Sequence, residues 1–130
     1  MILCSGAFDG LHAGHVRYLL AAASFKNPDE ALHVSVAPDA YIRREKNREP
    51  YWTQEERCLA VSGIAGVDEA WPDQNMTPAD YIRKIQPRAF VKGSDWFGKL
   101  PQDVIDACAL AGTLIVYVDT PGRHTSEARG

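Results

Sequence analysis

The chain has 130 residues, 45% of them hydrophobic and 24% charged, with a formal net charge of −3. That length suits one domain with a real core, and the composition excludes a disordered chain. The slight acidity gives nothing global to attract nucleic acid or an anionic membrane, and no apolar run approaches the roughly 20 residues needed to span a bilayer.

In chain order, Ile2 to Ser5 is a short apolar run stopped by Gly6 and reads as a strand. The opening residues lack the basic n-region of a signal peptide. Val16, Leu19, Leu20 and Ala23 then recur at helical spacing and predict one buried face, ended by Asn27-Pro28-Asp29. Leu32 to Ala37 carries β-branched residues and reads as a second strand. Residues 43–50 are charged and aperiodic, which predicts a loop or a frayed helix end. Thr53, with Glu56 three residues on, predicts a capping box and a helix that carries Leu59 and Ala60 inward.

Val67 to Trp71 is the expected third strand. Thr77-Pro78-Ala79-Asp80 opens a helix that ends near Gln86-Pro87. Ala89 to Lys92 is strand four and Gly93 to Lys99 a loop. Pro101 starts another helix, with Gly112 as its C′ residue, and Leu114 to Val118 is strand five. This βαβαβαβαβ pattern predicts a Rossmann-like three-layer α/β fold: a five-stranded parallel sheet with helices on both faces, in a single domain over residues 1–130. Cys4, Cys58 and Cys108 are odd in number and far apart, neither a disulfide framework nor a zinc knuckle. They are expected to be reduced packing residues of a cytoplasmic protein.

Ligands bind such sheets at the carboxyl ends of the strands, and three polar clusters fall there. Gly6-Ala7-Phe8-Asp9-Gly10-Leu11-His12-Ala13-Gly14-His15 follows strand one and opens the first helix. Two histidines three apart share a side of that helix. Gly14 between them leaves room for a ligand to approach the backbone, and the free N–H groups of the helix end favour an anion. The glycine spacing is not the dinucleotide fingerprint G-x-G-x-x-G. A zinc pair has little support, because His33 and His124 lie far off in sequence. A plain capping or solvent-facing role for His12 and His15 is the remaining reading.

The second cluster is Arg43, Arg44, Lys46 and Arg48, with Arg57 on the following helix; interrupted by Glu45 and Glu49, it reads by itself as a solvated surface. The third, Lys92-Gly93-Ser94-Asp95-Trp96-Phe97-Gly98-Lys99, puts a lysine and two glycines at a strand end, which suits a loop wrapping a nucleotide. Trp96 suits either packing on a base or anchoring the fold.

The run Gly6-x-Phe8-Asp9-x-x-His12-x-Gly14-His15 resembles the signature of the nucleotidyltransferase superfamily with the H-x-G-H motif. Within it the chain is most similar to the small bacterial glycerol-3-phosphate cytidylyltransferases and the adenylyltransferase domain that makes ADP-heptose. The likeness extends through Tyr51-x-Thr53-x-Glu55-x-Arg57, Val67-Asp68-Glu69, Lys92-Gly93-Ser94-Asp95-Trp96 and Thr125-Ser126. It implies transfer of a nucleoside monophosphate from CTP or ATP to a phosphorylated polyol or sugar, with release of pyrophosphate. Tyr51-x-Thr53-x-Glu55-x-Arg57 and Asp95-Trp96-x-Gly98-Lys99 lean towards CTP and Lys92-Gly93 and Thr77-Pro78 towards ATP, and the balance tips slightly to CTP.

By this resemblance His12, His15 and Lys46 are the catalytic residues. Gly6, Ala7, Phe8, Asp9, Gly14, Lys92, Gly93, Asp95, Trp96, Thr125 and Ser126 bind the nucleotide, and Arg57 and Arg48 the phosphates or the acceptor. Mg²⁺ is the expected cofactor and a homodimer the expected assembly, with no nucleic-acid or membrane partner. Glu127 stands where the resemblance expects a second threonine, so Thr125-Ser126 fits the family's phosphate-binding turn only approximately, and the short stretch to Gly130 reads either as a shortened C-terminus or as a missing piece. Two other readings compete: a nucleotide-binding sensor that has lost turnover, and a metal-dependent hydrolase using His12 and His15.

Overall fold

The computed structural model describes residues 1–119. The five strands β1 (Ile2–Gly6), β2 (Leu32–Val36), β3 (Glu69–Pro72), β4 (Ala89–Gly93) and β5 (Leu114–Val118) form one sheet in the order β3-β2-β1-β4-β5, all parallel. Five helices connect them: α1 (Ala13–Ser24), α2 (Asp39–Lys46), α3 (Gln54–Ser62), α4 (Ala79–Ile85) and α5 (Gln102–Ala111). This is the expected Rossmann-like architecture, and the strand readings hold to within a residue or two. Pro72, which has no N–H to donate, is accommodated because β3 is the edge strand.

Alternation along β1 divides the core in two. Ile2 and Cys4 face α1 and α3 with Leu19, Val34, Val61 and Val91, whereas Leu3 faces α4 and α5 with Ile82, Phe90, Val104 and Cys108. All three cysteines are free; Cys4 and Cys108 are buried, and burial pushes the Cys4 thiol up to about 12.

Three expectations about the helices need correction. Residues 43–50, read as a loop or a frayed helix end, begin as the last turn of an ordered helix, α2: Asp39 sits in its first turn and Arg43, Arg44 and Lys46 in its last, each complementing the helix dipole, and Asn47 ends it in the left-handed conformation (φ 55°). Only Ile42 of this helix is buried, so it has almost no apolar period to read. On α1 the buried residues are Tyr18, Leu19 and Ala22, while Leu20 is exposed. On α3 the capping box forms as read, with the Thr53 amide donating to Glu56 Oε1 at 2.9 Å and the Glu56 amide to Thr53 Oγ1 at 3.2 Å. Yet Leu59 is 74% exposed, and Arg57 and Val61 are what the helix buries.

Sequential connections run from β1 to β2 to β3 in one direction, and the chain then crosses to β4 and β5 on the other side of β1. The reversal therefore lies between β1 and β4, and their carboxyl ends frame the crevice in which such a sheet takes its ligand.

Candidate active site

β1 pairs with β2 along its whole length, from Ile2↔Leu32 to Gly6↔Val36, but with β4 only at Ile2↔Ala89 and Leu3↔Phe90. Beyond Leu3 the two central strands diverge, and side chains replace the missing ladder. The Tyr18 hydroxyl, brought in by α1, accepts from the Ser5 amide (3.2 Å) and donates to the Val91 carbonyl (2.5 Å). Lys92 Nζ donates to the Ser5 carbonyl at 2.9 Å, and lies 4.6 Å from the centre of the Trp96 ring. A buried phenol and a buried ammonium thus hold the crevice open and satisfy backbone groups that an intact sheet would pair. Burial pushes the Lys92 ammonium down to about 8, against the opposing pull of Cys4 and Asp95. It is a positive charge kept in a dry place, which an arriving anion would stabilise.

The H-x-G-H turn sits above this wedge. The Gly14 amide donates to His12 Nδ1 (3.0 Å), and the His12 amide donates to His15 Nδ1 (3.2 Å). The two imidazoles therefore cap α1 reciprocally, doing for this helix what Ser/Thr and Glu do in a capping box. The capping reading of the two histidines is met by this arrangement. Each Nδ1 is an acceptor, so each neutral ring carries its proton on Nε2. The rings stack with centroids 3.8 Å apart. Burial, then the charges of His12, Lys46 and Lys92, push His15 down to about 4, which keeps it a neutral donor at pH 7. Lys46, at the end of α2, is exposed and has no carboxylate partner among the described residues. Its charge bears on His15.

The remaining motif residues build the site more than they face it. Phe8 adopts φ 53° and buries its ring, edge-on to His15 at 5.3 Å and stacked with Tyr18. That ring lies where a side chain on residue 6 would go, 2.9 Å from the position of a Cβ, so Gly6 is required. The Phe8 side chain therefore backs the histidine and does not touch a nucleotide. Asp9 accepts from the Tyr51 amide (3.0 Å) and Arg48 Nη1 (2.8 Å) on one oxygen, and from the Trp52 amide (3.0 Å) on the other. Burial would raise its carboxyl, but these hydrogen bonds outweigh burial and hold it below the ordinary range. It is a staple that fixes residues 48–52 against the catalytic turn. The Ala7 carbonyl and the Gly14 amide are likewise committed within the protein.

Arg57 departs furthest from expectation. It is 0% exposed and donates from Nε to the Trp52 carbonyl (3.1 Å), from Nη1 to the Ala7 (2.9 Å) and Ala37 (2.7 Å) carbonyls, and from Nη2 to Asp39 Oδ1 (2.6 Å). It ties α3, α2 and the motif loop together from behind and cannot reach a phosphate. Of the rest of the basic cluster, Arg43–Glu49 and Arg44–Glu45 are exposed surface pairs.

On the opposite wall Gly93 ends β4, and a Cβ there would come within 2.7 Å of Asp95 Oδ1, so the glycine lets that carboxylate fold back over the strand end. Asp95 is exposed and Trp96 half-buried in a 3₁₀ turn, Ser94–Trp96. Thr125 and Ser126 lie outside the described residues. The described residues hold no cluster of three or more side chains able to ligate a metal, and His33 instead meets the Tyr81 hydroxyl at 3.0 Å. The sequence reading missed Tyr18 and the backbone partners of Asp9 at Tyr51 and Trp52. Their contacts span 73 and about 40 residues, and no local spacing signals them.

Comparison with known proteins agrees with this geometry. The family model described as cytidylyltransferase-like matches residues 3–130. The bifunctional protein HldE of Wolinella succinogenes is 41% identical over 100 residues, covering 76% of this chain and 20% of that protein. HldE of Campylobacter curvus is 38% identical over 129 residues, covering 97% of this chain and 26% of that one. The chain thus spans a fifth to a quarter of the length of these curated relatives. A solved lipopolysaccharide core biosynthesis protein from Thermoplasma volcanium superposes with a TM-score of 0.71 at 22% identity, over 92% of this chain and 93% of that one, and so shares the fold.

Proposed function

The chain belongs to the cytidylyltransferase-like family and is a nucleotidyltransferase domain, and from that premise we propose that it transfers a nucleoside monophosphate from ATP or CTP to a phosphorylated sugar or polyol, releasing pyrophosphate. The observation that carries this reading is the reciprocal cap of His12 and His15, which engages both Nδ1 atoms as acceptors and leaves both Nε2–H groups to donate at the amino end of α1, beside the β1–β4 crevice. Such an end already favours anions, and fixed donors there stabilise charge that develops on a transferring phosphoryl group. The curated relatives bear the name HldE, and the sequence resembles the adenylyltransferase domain that makes ADP-heptose; together these favour ATP and a sugar phosphate over the alternative pair of CTP and glycerol phosphate.

The chemistry is in-line. An oxygen of the acceptor's phosphate forms a bond to the α-phosphorus, the bond from that phosphorus to the bridging oxygen breaks, and pyrophosphate leaves with the electron pair. The nucleophile arrives as an anion, so no side chain need remove a proton. His12 and His15 donate to the phosphoryl oxygens, Lys46 neutralises the triphosphate from the rim, and Lys92 supplies charge from the crevice floor. Gly93, Asp95 and Trp96 form the wall for the nucleoside. Among the described residues a hard divalent cation would find Asp95 as a free carboxylate at the mouth, because both oxygens of Asp9 are engaged. That donor set suits Mg²⁺, which takes one or two carboxylates together with phosphate oxygens and water. Bound there, Mg²⁺ would neutralise phosphate charge.

The test is pyrophosphate release with Mg²⁺, crossing ATP and CTP against a panel of sugar and polyol phosphates. Release that requires one nucleotide and one acceptor together supports the reading and names both. Nucleotide binding with no release from any pair would favour the sensor alternative.

A further inference from the structure

Tyr51 is a large aromatic side chain left 69% exposed at the mouth of the site, with no part in either core cluster. Its position is nonetheless fixed. The Tyr51 amide is held by Asp9 of the catalytic turn, and the ring edge lies 3.7 Å from where a Cβ on Gly10 would stand, two residues before His12. The Arg48 guanidinium stacks on this ring, 3.8 Å from its centroid, while Nη1 donates to Asp9 Oδ2 (2.8 Å) and to the Glu49 carbonyl (3.0 Å). Nε and Nη2 have no acceptor among the described residues. A guanidinium stacked on an aromatic face keeps its edge open for two parallel hydrogen bonds to phosphate.

Residues 48–51 lie in the stretch after β2 and Ser94–Trp96 directly follows β4, and β2 and β4 flank β1 on opposite sides, so the pair and the β4 loop belong to opposite sides of the turn that follows β1. In-line displacement brings the attacking group to the α-phosphorus from the side opposite the leaving pyrophosphate, so acceptor and nucleoside need separate walls. With one wall formed by the β4 loop, the other is the Arg48–Tyr51 stack. Resting on the nucleotidyltransferase reading above, we propose that Tyr51 and Arg48 are the acceptor-recognition residues: Arg48 takes the acceptor's phosphate through its free edge, and the Tyr51 ring takes the C–H face of a cyclic sugar. A flat aromatic surface pairs with the flat face of a ring sugar better than with a short acyclic chain, so the platform selects a ring sugar phosphate over glycerol phosphate.

The test uses calorimetric binding of two probes, glucose 1-phosphate and glycerol 3-phosphate, beside nucleotide binding, on wild type, Tyr51→Phe, Tyr51→Ala and Arg48→Lys. The exposure of Tyr51 makes its truncation safe for folding, and Arg48→Lys keeps the charge while removing the planar stack. The expected result is that wild type binds glucose 1-phosphate more tightly than glycerol 3-phosphate. Tyr51→Ala and Arg48→Lys weaken the sugar phosphate by about tenfold, Tyr51→Phe keeps it, and nucleotide affinity is the same in wild type, Tyr51→Phe and Tyr51→Ala. Loss of nucleotide affinity in Tyr51→Ala, equal affinity of wild type and Tyr51→Ala for glucose 1-phosphate, or failure of wild type to bind either probe at millimolar concentration would overturn it. Binding is read without turnover, so a wild type that binds both ligands and releases no pyrophosphate refutes the transferase reading while leaving the Tyr51 comparison decisive.

Discussion

Replacing Arg57 with alanine tests whether the arginine is a part of the frame or a hand on the substrate. The truncation removes donors from three backbone carbonyls, those of Ala7, Ala37 and Trp52, and leaves Asp39 without its partner. Asp39 is 30% exposed and recovers part of its hydration, so the larger loss is at the carbonyls and the void beneath them. An orphaned buried acceptor costs about 1–3 kcal/mol, and breaking a buried ion pair about 3–5 kcal/mol. Taking the lower end for each carbonyl, with about 1 kcal/mol more for Asp39 and the void, the variant loses about 4 kcal/mol, a large part of the roughly 5–15 kcal/mol typical of a domain. In urea, with a slope of about 2 kcal/mol per molar, the midpoint falls by about 2 M. Arg57→Lys fails to rescue, because one ammonium cannot span four acceptors held on three segments. A variant within about 1 kcal/mol of wild type whose acceptor KM has risen would refute the reasoning and return Arg57 to the phosphate-binding role.

Two further predictions concern charge. His15 is pushed from 6.5 to about 4, so between those pH values the unfolded chain holds a proton that the folded protein does not, and stability falls as pH drops through that window. Allowing for its partial exposure, the loss is on the order of 1–2 kcal/mol, and thermal melts of wild type and His15→Gln between pH 4 and 7 should diverge by that amount, wild type falling faster. Lys92 is pushed down to about 8, and a bound triphosphate restores its proton; at pH 8.5, nucleotide binding should take up about three quarters of a proton, measurable by calorimetry in buffers of different ionisation enthalpy. Lys92→Met should abolish that uptake.

The parts of this molecule legible in its sequence are those whose signals are local. Alternating short apolar runs gave the strands, and Thr53 with Glu56 marked the start of α3 because both halves of its cap lie within one turn. The H-x-G-H turn was legible for the same reason: its two hydrogen bonds join residues two and three apart. Hydrophobic periodicity failed where the buried position is polar. On α3 the inward face is Arg57 and Val61, so the apolar Leu59 misled, and α2 escaped notice because it buries Ile42 alone. Asp9 and Arg48 were legible as residues of the site, but not as a staple, because they meet across 39 residues of chain. The Lys92–Ser5 contact, 87 residues apart, needed the divergence of β1 and β4 to be visible before its purpose was.

The central claim is that the Nε2–H groups of the reciprocal cap stabilise the transferring phosphoryl group. Single-turnover rates at saturating substrates for His15→Gln address it most directly, since glutamine at the third helical position can restore the hydrogen bond to the His12 amide without an imidazole donor. The account predicts unchanged melting at pH 7.5, unchanged nucleotide affinity, and a rate lowered by about 100- to 1000-fold. A rate within tenfold of wild type would contradict it and leave His15 as a helix cap and nothing more.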